Sequence, residues 1–141
     1  MFRLDESLGF LLNRAAIAMR WALEERLVRY GLTAPQWAIL ARLWEEDGQS
    51  PSVMGKSLHF DKPTATGIID RLEQKVLVKK TRDPEDRRVI RVYLTGKGRE
   101  LQKHLPQFAS EVNQMAFRGM KNRDIKFLKA HLRKIWDNFR M

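Results

Sequence analysis

Residues 50–74 read Ser-Pro-Ser-Val-Met-Gly-Lys-Ser-Leu-His-Phe-Asp-Lys-Pro-Thr-Ala-Thr-Gly-Ile-Ile-Asp-Arg-Leu-Glu-Gln. Two helix starts of the same design lie within this stretch, Ser50-Pro51 and Asp61-Lys62-Pro63. Each offers a side-chain oxygen to cap free amides, followed by a proline in the first turn, where its missing N–H costs nothing. The first helix is short, with Val53, Met54, Leu58 and Phe60 as its apolar residues; the second ends near Lys75. Roughly three residues separate the two, which is the spacing of a helix-turn-helix.

At 100° per residue, Ala65, Ile68, Ile69 and Leu72 of the second helix fall on one buried side. Pro63, Thr66, Gly67, Asp70 and Gln74 face the other way, with Thr64 and Arg71 on the flank. The early outer face is small and neutral, so the helix can lie deep in a DNA major groove. There a threonine offers a hydroxyl to base edges and a methyl to thymine. An ordinary surface helix is the competing reading, but it would avoid Gly67 at mid-length, which costs about 1 kcal/mol relative to alanine.

Beyond this pair the period changes. Leu77 to Arg82 and Val89 to Leu94 are rich in β-branched and aromatic residues and flank the charged, proline-containing Asp83–Arg88. This predicts a β-hairpin. Arg87, Arg88 and Arg91 sit at or beside its tip, and Lys79, Lys80 and Arg82 on the entering strand. A projecting arginine suits a narrow minor groove, where the negative potential is strongest. Asp86 reads as an anchor that pairs with an arginine and fixes the loop.

Upstream, leucines and other apolar residues at three- and four-residue steps predict one helix from about Leu4 to Tyr30, closed by Gly31. Thr33-Ala34-Pro35-Gln36 carries the marks of a capping box and opens a helix bearing Trp37, Leu40, Ala41 and Trp44, which Asp47-Gly48 closes. Downstream, Thr95 caps a helix running toward Met120 with a kink expected at Pro106, and Asn122 caps a last helix striped by Ile125, Leu128, Leu132, Ile135, Trp136 and Phe139. The fold expected is mainly α with a small β-hairpin: a single α+β winged helix-turn-helix domain over residues 1–141. Its DNA-binding lobe spans about 33–95, and its long N- and C-terminal helices, about 1–30 and 96–141, are expected to serve dimerisation.

The net charge is +10, from 27 basic and 17 acidic residues. Residues 1–49 are slightly acidic, whereas 50–100 and 101–141 are strongly basic. Such a balance favours nucleic acid or another anionic surface. With no cysteine there is no disulfide, thiolate metal site or thiol switch. The early acids Asp5 and Glu6 and the interruption at Asn13-Arg14 argue against a signal peptide or membrane span, so a cytoplasmic location is expected. His59, His104 and His131 lie far apart, Gly96-Lys97-Gly98 lacks the phosphate-loop pattern, and no nucleophile has a base beside it; neither an enzyme, a metal nor a cofactor is expected.

Asp86-Arg87-Arg88-Val89-Ile90-Arg91-Val92-Tyr93-Leu94-Thr95 resembles the wing signature of the MarR family, Asp-x-Arg followed by Leu-Thr. Gly31-Leu32-Thr33 with Gln36-Trp37 and Leu40 resembles that family's second helix, Pro63–Leu72 its recognition helix, and Thr95-Gly96-Lys97-Gly98 the opening of its fifth helix. The resemblance implies a dimer with interlocked terminal helices, recognition helices in successive major grooves, and wings at the minor groove. By position it implies Arg88 as the minor-groove residue and Asp86 as its support. It also implies a ligand-responsive repressor, acting as a homodimer on a palindromic operator and controlled by a small, often aromatic or phenolic, effector. Val76 departs from the pattern, since the family usually has glycine there. A β-branched residue resists left-handed backbone, so a different helix ending is expected.

The candidate DNA contacts are Ser50, Lys62, Pro63, Thr64, Thr66, Gly67 and Arg71 from the helix pair, and Lys80, Arg82, Asp86, Arg87 and Arg88 from the hairpin. Leu4 and Leu8 with Ile125, Leu128, Leu132, Ile135, Trp136 and Phe139 form more apolar surface than one helical end can bury, which points to a dimer interface. A core helix or one lying on a membrane are the competing readings of that stripe. Met19, Arg20, Trp37, Leu40, Trp44 and His59, with Phe108, are candidates to border an effector space, although the same spacing suits plain core. The competing function is a non-specific architectural nucleic-acid-binding protein, which would hold random duplex as well as any operator.

Overall fold

The computed structural model describes residues 1–140. Within the described residues seven α-helices and one hairpin follow in the order α1 (Leu8–Leu27), α2 (Ala34–Glu45), α3 (Pro51–Leu58), α4 (Lys62–Gln74), β1 (Val78–Arg82), β2 (Ile90–Leu94), α5 (Gly96–Glu100), α6 (Pro106–Ala116) and α7 (Asn122–Phe139), with single 3-10 turns at Leu4–Glu6, Val28–Tyr30 and Leu101–Lys103. Among the described residues no helix is long and apolar enough to cross a membrane.

The caps form where the sequence places them. Thr33 Oγ1 accepts the Gln36 amide at 3.3 Å while Gln36 Oε1 accepts the Thr33 amide at 3.2 Å, a reciprocal pair that starts α2. Ser50 Oγ accepts from Val53 at 3.2 Å, and Asp61 Oδ1 from Thr64 at 2.8 Å. The Thr64 hydrogen bonds hold the Asp61 carboxyl below its ordinary pKa. Ala65, Ile68, Ile69 and Leu72 of α4 are all buried, together with Ile39, Leu40 and Leu43 of α2, Met54 of α3 and Val78, Val92 and Leu94 of the hairpin. The helix pair therefore sits on α2 and the sheet, its small outer face left free.

Strands β1 and β2 are antiparallel, pairing Val78 with Leu94, Lys80 with Val92 and Arg82 with Ile90. The α2–α3 loop adds a bridge: Gly48 donates to the Val92 carbonyl at 3.0 Å and Val92 to the Gln49 carbonyl at 2.9 Å. Gly48 has φ +76, and a Cβ there would stand 2.8 Å from the Tyr93 ring, so only glycine fits.

The structure corrects four expectations. The first helix is divided, because the chain is extended at Ser7 (ψ 132) and tightens into a 3-10 turn after Leu27. The fifth helix does not bend at Pro106 but breaks before it: α5 runs out through Leu101–Lys103, and Pro106 becomes the first residue of α6, a position that needs no N–H. The last helix is capped at Lys121, whose amide donates to Asp124 Oδ2 at 3.2 Å, rather than at Asn122.

The fourth correction is Val76, which takes the left-handed conformation (φ +61) that its branching opposes. Its amide donates to the Glu73 carbonyl at 2.9 Å, and Leu77 donates to the Leu72 carbonyl at 3.0 Å. This is the helix ending that glycine ordinarily supplies. Burial of Leu72 and Leu77 holds it, as does the Thr95 hydroxyl, which donates to the Val76 carbonyl at 2.7 Å.

Arg26 of α1 and Glu111 of α6 form an ion pair at 2.8 Å, and the Tyr30 and Phe108 rings lie 5.8 Å apart, so α1 and α6 pack side by side. Helix α7 has no buried residue. Its Phe127, Leu128, Leu132, Trp136 and Phe139 are exposed, as are Leu4 and Leu8 at the other end of the chain, while Ile125 and Ile135 are half-buried.

Candidate nucleic-acid interface

The first half of α4 presents Lys62, Pro63, Thr64 and Thr66 to solvent, and a Cβ added to Gly67 would meet no atom within 4 Å. Between this face, the start of α3 and the hairpin lies a concave space of about 680 Å³, bordered by Ser50, Lys56, Lys62, Thr66, Arg88 and Ile90 among others. Of the residues singled out from sequence, Ser50, Lys62, Thr66 and Arg88 thus share one hollow, with Pro63, Thr64 and Gly67 on the helix that forms its wall. Arg71 lies exposed one turn further along.

The hairpin tip is built by carboxylates. Arg88 grips Asp86 with both arms, Nε to Oδ1 at 3.0 Å and Nη2 to Oδ2 at 3.2 Å, and its backbone amide also donates to Oδ1 at 3.1 Å. The Arg88 hydrogen bond holds the Asp86 carboxyl below its ordinary pKa. The Arg88 side chain remains 91% exposed, so it is aimed without being hidden. Arg82 donates to the Arg87 carbonyl at 2.8 Å, which leaves the Arg87 side chain to solvent.

Sequence reasoning passed over a second carboxylate, Asp83. Its Oδ2 accepts from Arg91 Nε at 2.7 Å and its Oδ1 from the Glu85 amide at 2.8 Å, while Arg91 Nη1 also reaches the Gly48 carbonyl at 3.1 Å. Asp83 therefore ties the hairpin to the loop before α3, and the Arg91 hydrogen bond holds its carboxyl below the ordinary pKa. The spacing of Asp83 and Arg91 across a strand pair was the available signal.

Lys80 occupies a different place from the one expected of a phosphate contact. Its ammonium bonds Asp70 Oδ1 at 2.5 Å with Glu73 Oε1 at 3.6 Å, and its amide donates to Glu73 Oε2 at 3.1 Å. Two carboxylates on α4 thus neutralise it, and the Asp70 hydrogen bond raises its pKa. Its geometry is that of a brace between helix and hairpin.

Thr95 and Gly98 complete the frame. Thr95 Oγ1 accepts the Gly98 amide at 3.1 Å, and Thr95 donates to the Leu77 carbonyl at 3.0 Å. A Cβ on Gly98 would stand 2.2 Å from that carbonyl, so α5 can meet β1 only with glycine there. Trp44 Nε1 donates to the Gly98 carbonyl at 3.0 Å.

The candidate effector residues do not converge. Trp37 and Trp44 line a small cleft of about 270 Å³ with Ala41, Gln102, Pro106 and Ala109. Leu40 is fully buried and Phe108 nearly so, both in the core. Met19 and Arg20 are exposed on α1, where Arg20 lies 3.7 Å from Glu24, and His59 stands against Trp136 instead.

A helix pair with a free, small-residue reading face and a basic hairpin beside it defines a winged helix-turn-helix DNA-binding protein. The sequence profile of the MarR family matches residues 32–90. The HTH-type transcriptional regulator TtmR of Methylorubrum extorquens (strain PA1) is 40% identical over 98 residues, which cover 70% of this chain and half of that regulator's length. The chain is also similar to solved structures of Bordetella bronchiseptica BpsR, whose DNA binding is regulated by 6-hydroxynicotinic acid (30% identity, TM-score 0.89, 97% of this chain and 98% of that one), and of an E. coli MarR mutant complexed with operator DNA (25% identity, TM-score 0.85, 91% and 92%). The protein belongs to the MarR family and is a DNA-binding transcriptional regulator.

Proposed function

We propose that the protein is a homodimeric, ligand-responsive repressor that binds a palindromic operator. The N-terminal half of α4 enters the major groove, with Thr64 and Thr66 at base edges and the helix-start amides and Lys62 toward phosphates. The hairpin carries Arg88 into the flanking minor groove. The observation that supports this most is the Asp86–Arg88 pair, which aims an exposed guanidinium from a shaped tip beside the hollow that α4 walls. The exposed apolar faces of Leu4, Leu8 and α7 support a two-fold partner, which a monomer of this shape would leave wet.

Effector control is proposed through the cleft lined by Trp37 and Trp44, which lies between α2 of the DNA-binding lobe and α6 beyond it. A small aromatic compound there would bear on both at once, in line with the regulation described for BpsR. The test begins with selection of operators from a random duplex library by the full-length protein. Anisotropy titration of the enriched duplex against a scrambled one should then show a preference of about 1,000-fold or more. Equal affinity for both would replace the repressor with an architectural binder.

A further inference from the structure

The reading helix is gripped at both ends by contacts with other elements: the α1–α2 corner at one end and α7 at the other. At the C-terminal end, the Lys75 ammonium donates to the Gly31 carbonyl and, at 3.1 Å, to Gln36 Oε1. Gln36 is buried, and the same oxygen accepts the Thr33 amide. Gly31 is the left-handed residue (φ 65) at which the chain leaving α1 turns toward α2. Lys75 therefore holds the corner between those two helices. Lys97 Nζ in turn reaches the Lys75 carbonyl at 3.4 Å.

At the other end, His59 lies two residues before the cap of α4 and is itself left-handed (φ 60, ψ 38). Its imidazole lies against the indole of Trp136 on α7, ring centroids 4.5 Å apart and tilted by 59°, within the range of favourable aromatic pairs. Helix α4 does not need either contact to stay folded, because its apolar side is already buried and Asp61 caps it. What the two contacts do is tie its ends to the α1–α2 corner and to α7.

We propose that Lys75 and His59 are positioning residues that set the separation between half-sites which the dimer accepts. The proposal rests on the two-fold reading given above. The lever is sensitive: thirteen residues make a helix about 20 Å long, so a tilt of roughly 10° moves one end by about 3.4 Å, the rise of one base pair. In a two-fold dimer the displacement counts twice.

The test selects duplexes from a random library with the full-length wild type, Lys75→Met, His59→Asn and Lys75→Arg. Asparagine tolerates left-handed backbone and removes the ring; arginine keeps the charge at the corner. Wild type should enrich palindromes of one centre-to-centre spacing. Lys75→Met and His59→Asn should enrich the same half-site letters with spacings spread over one or two base pairs, and Lys75→Arg should return the single spacing. Wild-type spacing in both disrupting variants overturns the proposal, and so do altered half-site letters, which would mean direct base contact. If wild type enriches no palindrome at all, the operator reading beneath it falls instead. Melting curves identify a variant that has merely lost its fold, and the other variant then decides.

Discussion

Arg88 and Val76 show how much single residues carry. Arg88 is exposed yet fixed by Asp86, so its loss should cost affinity without costing the fold. Arg88→Ala is expected to weaken operator binding by between about 5-fold and 150-fold, the scale of one good groove contact, with an unchanged melting temperature. Val76 keeps a backbone conformation that costs an L-residue about 1–2 kcal/mol. Its side chain is exposed, so Val76→Gly should stabilise the protein by about 1 kcal/mol, roughly 3 °C in a calorimetric scan, and no gain would mean that the strain is absent. Gly98→Ala runs the other way. Its methyl group would press on the Leu77 carbonyl, and a loss of roughly 2–3 kcal/mol is expected by denaturant titration.

At the scale of elements, the hairpin stands on two ionic braces. Asp83–Arg91 ties it to the loop before α3, and Lys80 to Asp70 and Glu73 ties it to α4. The Asp83 pKa is lowered by Arg91, so this contribution is present above the ordinary carboxylate pKa and is lost as pH falls through the lower native value. The Lys80 pKa is raised by Asp70, so that contribution is complete below the ordinary lysine value and is lost only as pH rises beyond it. Amide exchange followed by NMR should therefore show the hairpin loosening below about pH 4. Asp83→Asn should loosen it already at neutral pH and flatten that acid response; a hairpin equally protected in both proteins would remove the brace.

The elements themselves were legible because their signals are local. Caps with proline in the first turn set the starts of α2, α3 and α4, and β-branched runs set the strands to within a residue. The break before Pro106 was not legible, since proline at the first position of a new helix and proline inside a kinked one read alike. Nor was the role of Lys80, which depends on a lysine in β1 meeting carboxylates from α4. The ending at Val76 went unread for a similar reason, because tertiary burial of Leu72 and Leu77 overrides local preference. Among the effector candidates, helical spacing could not tell the buried Leu40 from the cleft-lining Trp37.

For the whole molecule, the basic hollow and the exposed apolar residues occupy different surfaces, although α7 interleaves its apolar stripe with Lys126, Lys129, Arg133 and Lys134. The hollow beside α4 collects Lys56, Lys62 and Arg88, while α7 and the N-terminus display Leu4, Leu8, Leu128, Leu132, Trp136 and Phe139. Two such surfaces suit a dimer that holds itself together through one and holds DNA through the other. Sedimentation at micromolar concentration should give twice the chain mass, and Leu128→Asp with Leu132→Asp should shift the protein toward the monomer.

Titration of the selected operator across a salt series reads phosphate neutralisation and base recognition by the dimer together. A DNA-reading dimer of this kind should show a steep linear fall of log affinity with log salt, corresponding to several phosphates per dimer, and a preference over scrambled duplex that survives throughout. A nearly flat salt response, or equal binding of operator and scrambled duplex at every salt concentration, would contradict it.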